Sequence, residues 1–173
     1  MTNPESAPQP TTLNPADPNS LPIVTLDRVV EAMRGHDVTL EPVTGRDDSA
    51  TANLNGLPCL FAVLDAVVIV RCDVQTDAQF ATADAGLFLA ANQVNSVSFG
   101  ARAAITDFDG NLVVRTEREI PCAAGMADVQ LSAALKAAVD GVLGAQNAMV
   151  ASAQEMAKLG SEAAAAATGQ DAE

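Results

Sequence analysis

Residues 98–120 read SFGARAAITDFDGNLVVRTEREI, and the fold turns on whether Asp109-Gly110 closes a hairpin. A two-residue type I′ turn needs positive φ at both central positions, which Asp-Gly supplies at little steric cost. With Phe108 opposite Asn111, the pairs outward are Ile105 with Val114, Ala103 with Thr116, Ala101 with Arg118 and Phe99 with Ile120. That face is mostly apolar. Thr106 with Val113, Ala104 with Arg115 and Arg102 with Glu117 make a mostly polar opposite face. One oily and one polar face mark a half-buried antiparallel pair.

The same residues carry a second reading. Asp107-Phe108-Asp109-Gly110 resembles the DxDG motif of haloacid dehalogenase phosphatases, in which Asp107 and Asp109 would serve a small phosphohydrolase. Those enzymes place the motif after a parallel strand whose loop leads into a helix. Here it leads into a second strand. Of 173 residues only 66 follow Asp107, too few for that family's remaining elements, and Asn111 stands where its threonine would be. A motif counts only in its structural context. The hairpin is therefore the primary reading, with no catalytic residue expected.

Composition narrows the classes. Hydrophobic residues make up 49% of the chain, but aromatics only 3%, with five Phe and neither Trp nor Tyr. The core must be built from Ala, Val, Leu and Ile, and the surface is poorly equipped to stack bases. Nine basic against twenty-two acidic residues give a net charge of −13. Nucleic acid and anionic membranes both demand Lys and Arg clusters, so neither is an expected partner. No basic and apolar leader precedes Arg28, and no run approaches the ~20 apolar residues of a membrane span. The expectation is a cytoplasmic protein of one domain.

Outward from the hairpin, the order reads α-β-β-β-α-β-β-α, an α+β fold with an antiparallel sheet. Residues 1–22 hold six of the nine prolines and read as a disordered tail. The domain is expected over 23–160. Thr25 can cap a helix ending at Arg34-Gly35. Strands are expected at Val38–Val43, Ala50–Leu54 and Leu57–Leu64, with Asn55-Gly56 as a hairpin turn. Asp65-Ala66 turns into Val67–Asp73, a further extended run. Asp77 then caps a helix over 78–94 with Phe80, Leu87, Phe88, Ala91 and Val94 as its buried stripe. A last helix covers Met126–Leu159, with Leu131, Leu135, Val139, Val142, Met149, Ala153 and Met156 at helical spacing. Gly160 ends it, and 161–173 form an Ala-rich acidic tail. Gly141 and Gly144 mark a kink or, less simply, a close backbone crossing with another helix.

Other residues that could carry chemistry have simpler readings. His36-Asp37 could form an acid/base dyad, but it follows a helix end and no nucleophile is evident. Asp47-Asp48 sits in a turn, where Asp bonds nearby backbone. Asp107, Asp109 and Asn111 imitate a calcium loop, yet its twelfth position would be Arg118 rather than Glu. Asn92 and Asn95 read as helix-end residues. The GVLG run lacks the Lys-Ser/Thr of a phosphate loop. Cys59, Cys72 and Cys122 form neither a zinc nor a disulfide framework, although a turn at Asp65-Ala66 places Cys59 directly opposite Cys72. No metal and no cofactor are expected.

At this point the chain resembles the YbjN family, bacterial proteins described as sensory transduction regulators. The resemblance covers about residues 24–150. It rests on the element order, on Leu89-Ala90-Ala91-Asn92-Gln93-Val94-Asn95 leading into the strand at 98, and on Ile120-Pro121, Gly125 and Gln130-Leu131 around the start of the last helix. That family is similar in fold to type III secretion chaperones, small acidic homodimers that bind segments of other proteins. The resemblance implies a non-enzymatic binding or regulatory protein with no catalytic residue to carry over.

The strands agree with a binding role. Cys59, Phe61 and Val63 alternate with Leu60, Ala62 and Leu64, and Val68, Val70 and Cys72 alternate with Val67, Ile69 and Arg71. Both faces are apolar, where a sheet with one wet face would alternate with polar residues. The long helix, a second subunit or a client segment must cover the second face. Leu60, Ala62, Leu64, Val67 and Ile69 are the candidate interface, and a homodimer is the expected assembly.

Overall fold

Asp109 (φ 52°) and Gly110 (φ 81°) both hold positive φ, and the Asp-Gly turn closes the hairpin that the sequence predicts. Its arms are β5 (Arg102–Phe108) and β6 (Asn111–Pro121). Their register runs from Phe108 opposite Asn111 to Arg102 opposite Glu117, as read from the turn. The outer two expected pairs do not form. Gly100 instead accepts a hydrogen bond from Arg118 Nη1 at 2.9 Å, and Phe99 is 94% exposed.

The computed structural model describes residues 20–83 and 85–170, with backbone alone at 163, 164 and 166–170. The elements before the hairpin are α1 (Leu26–Arg34), β1 (Glu41–Pro42), β2 (Ser49–Leu54), β3 (Leu57–Leu64), β4 (Val67–Gln79) and α2 (Gly86–Val97); α3 (Asp128–Gln170) follows it. The six strands among the described residues form one antiparallel sheet in the order β1-β2-β3-β4-β6-β5, so the fold is α+β.

Among the described residues, all three α-helices pack on one face of the sheet. Phe61, Val68, Val70, Cys72, Val114 and Ile120 from that face share one core with Val29, Met33, Ala91, Val94, Leu131, Leu135, Val142 and Met149 from the helices. Small residues let α3 lie close to the strands: Ala138 and Ala145 are fully or almost fully buried beneath it. Two polar links fix its register. Thr116 Oγ1 donates to the Val142 carbonyl at 3.1 Å. Buried Gln146 donates from Nε2 to the Cys72 and Val114 carbonyls at 3.2 and 3.0 Å. Gln146, which the sequence shows only as a break in an apolar stripe, is thus a tie between helix and sheet.

Several elements differ from the expectation. β4 continues through Asp77, which therefore caps no helix. The cause is β6: its eleven residues keep β4 paired as far as Gln79 opposite Asn111, across an irregularity after Gln75. A 3₁₀ turn over Phe80–Thr82 follows, and α2 starts only at Gly86. The later start changes the buried stripe to Ala90, Ala91 and Val94, leaving Phe80 and Phe88 exposed. The expected strand at 38–43 shrinks to β1, because Val38 N bonds back to the Met33 carbonyl and Leu40 turns into the core. Asn95 does not serve the helix end; its side-chain amide pairs with both N and O of Ala103 at 2.8 Å, covering part of the β5 edge.

At the other end, α3 does not stop at Gly160 but runs to Gln170. At 1.5 Å per residue it is roughly 65 Å long and outruns the sheet. Of the tails, residues 1–19 and 171–173 lie outside the described residues. The expected boundary at 22 cuts through a contact: the Pro22 carbonyl accepts from Met126 N at 3.0 Å and from Arg28 Nη1 at 2.9 Å.

The two glycines of α3 have opposite environments. A Cβ on Gly141 would stand 2.4 Å from the Gly100 carbonyl oxygen, whereas one on Gly144 would meet nothing within 4 Å. The crossing reading holds at Gly141, although the partner is the loop before β5 and not a helix. α3 is continuous through both glycines. Gly144→Ala is expected to stabilise the protein by up to about 1 kcal/mol through helix propensity. Gly141→Ala is expected to lose about 1–3 kcal/mol from overpacking against backbone. Paired urea melts read the two opposite signs.

Candidate functional site

The β3–β4 hairpin sets up the candidate surface. Asp65 takes a positive φ of 35° in a two-residue turn, so Leu64 faces Val67 and the register counts on to Cys59 opposite Cys72. Successive side chains alternate faces. With Phe61, Val68 and Val70 in the core, Leu60, Ala62, Leu64, Val67 and Ile69 share the face that carries no helix. Among the described residues none of these five belongs to the core cluster. Ala62 is shielded by its neighbours at 4% exposure, Leu60, Val67 and Ile69 are half-buried, and Leu64 is 41% exposed. The structure thus brings all five predicted residues together on one patch.

Beside the patch runs a charged ladder that the sequence left unnoticed. Arg71 donates to Glu117 directly opposite, at 2.8 Å. Asp73 and Arg115, the next pair along, bond bidentately at 2.8 Å in both contacts. These bonds, with the hydrogen bond to Asp73 first, hold the Arg115 guanidinium above its ordinary pKa. The alternation Arg-Asp on β4 against Glu-Arg on β6 was a readable signal once the two strands were paired. Beyond the ladder, Val113 is buried and Phe108 is 68% exposed on the same face. The face can therefore offer apolar area together with ordered charges, which suits contact with another protein surface.

The other sequence candidates gain structural roles. His36 Nε2 lies 2.9 Å from Ser132 Oγ and 3.2 Å from the Ser132 carbonyl. The contact ties the end of α1 to α3. Asp37 sits at a positive φ of 61° in the turn beyond. Asp48 is bound by Arg46 and by the Ser49 hydroxyl, which together hold its carboxyl below the usual range. Cys59, Cys72 and Cys122 are free and buried, and burial pushes the Cys122 thiol up.

Asp107 and Asp109 do not form an enzyme site of the haloacid dehalogenase type. Asp107 lies within antiparallel β5 opposite Leu112, and Asp109 is the first turn residue. No helix follows the motif. The chemistry needs a loop at the end of a parallel strand, and this sheet is wholly antiparallel. We expect Asp107→Asn to change no phosphate release: incubation with magnesium and a generic aryl phosphate should give the same background with either protein. Release abolished by the substitution would reverse the assignment.

A groove of about 1130 Å³ lies where the overhanging α3 passes the β4–α2 connection, lined by Leu87, Leu89, Leu112, Met156 and Leu159 among others. Among the described residues no three His, Cys, Asp or Glu side chains converge as a metal site. No helix among them is long and apolar enough to cross a membrane.

The family model named YbjN and described as "Putative bacterial sensory transduction regulator" matches residues 25–150. Among solved structures, the crystal structure of YbjN from E. coli, described there as a "putative transcription regulator", superposes with a TM-score of 0.60 at 13% sequence identity, covering 79% of this chain and 97% of that one. At that identity the likeness is one of fold. No curated protein compared with the chain matches it.

Proposed function

The chain belongs to the YbjN family, whose model spans the whole sheet and the first half of α3, and from that premise we propose that it is a non-enzymatic regulatory protein acting through protein–protein contacts. The observation that carries this reading is the helix-free face of the sheet, with Leu60, Ala62, Leu64, Val67 and Ile69 gathered beside the Arg71–Glu117 and Arg115–Asp73 pairs. Contiguous apolar surface rimmed by polar groups marks interaction sites. A second copy of the chain is the proposed cover, giving a homodimer. It would work in the cytoplasm, in the manner of a chaperone-like or sensory regulator. A cofactor has no part in this role, and neither nucleic acid nor membrane is a direct partner, since the chain carries a net charge of −13.

Light scattering at micromolar concentration tests the assembly. The expected mass is twice the 17.7 kDa of one chain. A strictly monomeric mass would remove the homodimer and transfer the face to a client segment of another protein.

A further inference from the structure

We propose that Cys59 and Cys72 are a peroxide-oxidisable dithiol that closes to a cross-strand disulfide within the folded protein. The argument rests on register and is independent of the proposed interface. Counting from the two-residue turn, Leu64–Val67 is the closing hydrogen-bonded pair, and the two classes of pair then alternate. Val63–Val68, Phe61–Val70 and Cys59–Cys72 therefore fall at the non-hydrogen-bonded positions. A second bond agrees with this parity: Val63 N points away from β4 and donates to the Asp48 carbonyl at 2.8 Å. At such positions Cα atoms approach to about 4.5 Å and side chains are closest. That separation lies inside the roughly 4.4–6.8 Å range of disulfides. Cys122 lies beyond the end of β6 and has no cysteine opposite it.

The surroundings favour reaction between these two sulfurs. Both residues are free and buried, at 2% and 0% exposure, which excludes bulky thiol reagents. An oxidant that reaches them must be water-sized. Hydrogen peroxide is such an oxidant. The Cys59 S–H donates to the Cys72 sulfur and favours its thiolate, with help from Gln146; the same hydrogen bond, together with burial, pushes the Cys59 thiol up.

The steps balance as follows. The Cys72 thiolate attacks one peroxide oxygen; the O–O bond breaks, and hydroxide leaves with the proton Cys72 gave up, as water. Cys72 is now a sulfenic acid. Cys59 sulfur attacks the Cys72 sulfur; the S–O bond breaks, and hydroxide leaves with the Cys59 proton as a second water. Two thiols are oxidised to one disulfide and one peroxide is reduced to two waters.

The test treats the full reduced chain with hydrogen peroxide, then quenches, unfolds and alkylates it. Two of the three thiols should be lost, restored by dithiothreitol. Trypsin cuts after Arg71, so the disulfide should link peptide 47–71 to peptide 72–102 with the loss of two hydrogen atoms, while Cys122 in peptide 119–136 stays alkylated. Cys122→Ser should leave the link unchanged. Cys59→Ser should abolish it and let Cys72 proceed to sulfinic acid. Three alkylated thiols after peroxide, or a link through Cys122, would overturn the proposal.

Discussion

Gly125→Ala is expected to destabilise the fold by about 2–5 kcal/mol, the largest loss for so small a change. Gly125 holds φ at +77°, in the left-handed region, where a side chain costs roughly 1–2 kcal/mol. The new Cβ would also stand 2.3 Å from the Leu21 carbonyl oxygen and 2.7 Å from that of Pro22. Overpacking of this kind typically costs about 1–3 kcal/mol more. The obstructing backbone cannot move away cheaply. Pro22 O is held by Met126 N and Arg28, and Arg28 also binds the carbonyls of Ile23 and Met126 and, at 2.6 Å, the Asp128 carboxylate. At roughly 2–4 °C per kcal/mol, the thermal midpoint should fall by about 4–20 °C. In an Arg28→Ala background the segment is freed, so the second loss should be less than additive. Scanning calorimetry on the four proteins gives the cycle; an unchanged midpoint for Gly125→Ala would show that residues 21–22 do not clip onto the start of α3.

What the sequence disclosed depended on how local the cause was. Turns fixed by two residues were legible: Asp109-Gly110, Asn55-Gly56 and Asp65-Ala66 each set a register that the structure keeps. The Thr25 cap was legible for the same reason, its side chain accepting from Arg28 N. Features caused by distant partners were not. Asp77 has the chemistry of a helix cap, but β6 holds it in a strand. Asn95 looks like a helix-end residue until Ala103 is placed beside it. Gly160 has the chemistry of a helix stop, yet α3 passes through it. Of the candidate surface, alternation alone predicted the five apolar residues. The charged ladder beside them required the pairing of β4 with β6, strands about forty residues apart in the chain.

The helix-free face should be the contact between two copies of the chain. Leu64 and Ile69 lie on it without supporting the core, so charges placed there should leave the monomer folded. Ile69 stands opposite Glu119, which a lysine could meet, and an aspartate at 64 keeps the net charge unchanged. Buried in a dimer, the same charges lose water without designed partners. Such uncompensated burial costs about 3–5 kcal/mol, enough to weaken association on the order of 100-fold or more. Sedimentation equilibrium of the wild-type chain beside the double variant Leu64→Asp, Ile69→Lys at equal micromolar concentration is the most direct measurement. The account predicts a two-chain mass for the wild type and a one-chain mass for the variant, with matching thermal melts of the isolated fold. A variant that stays a dimer, or a wild type that is already a monomer, would contradict it.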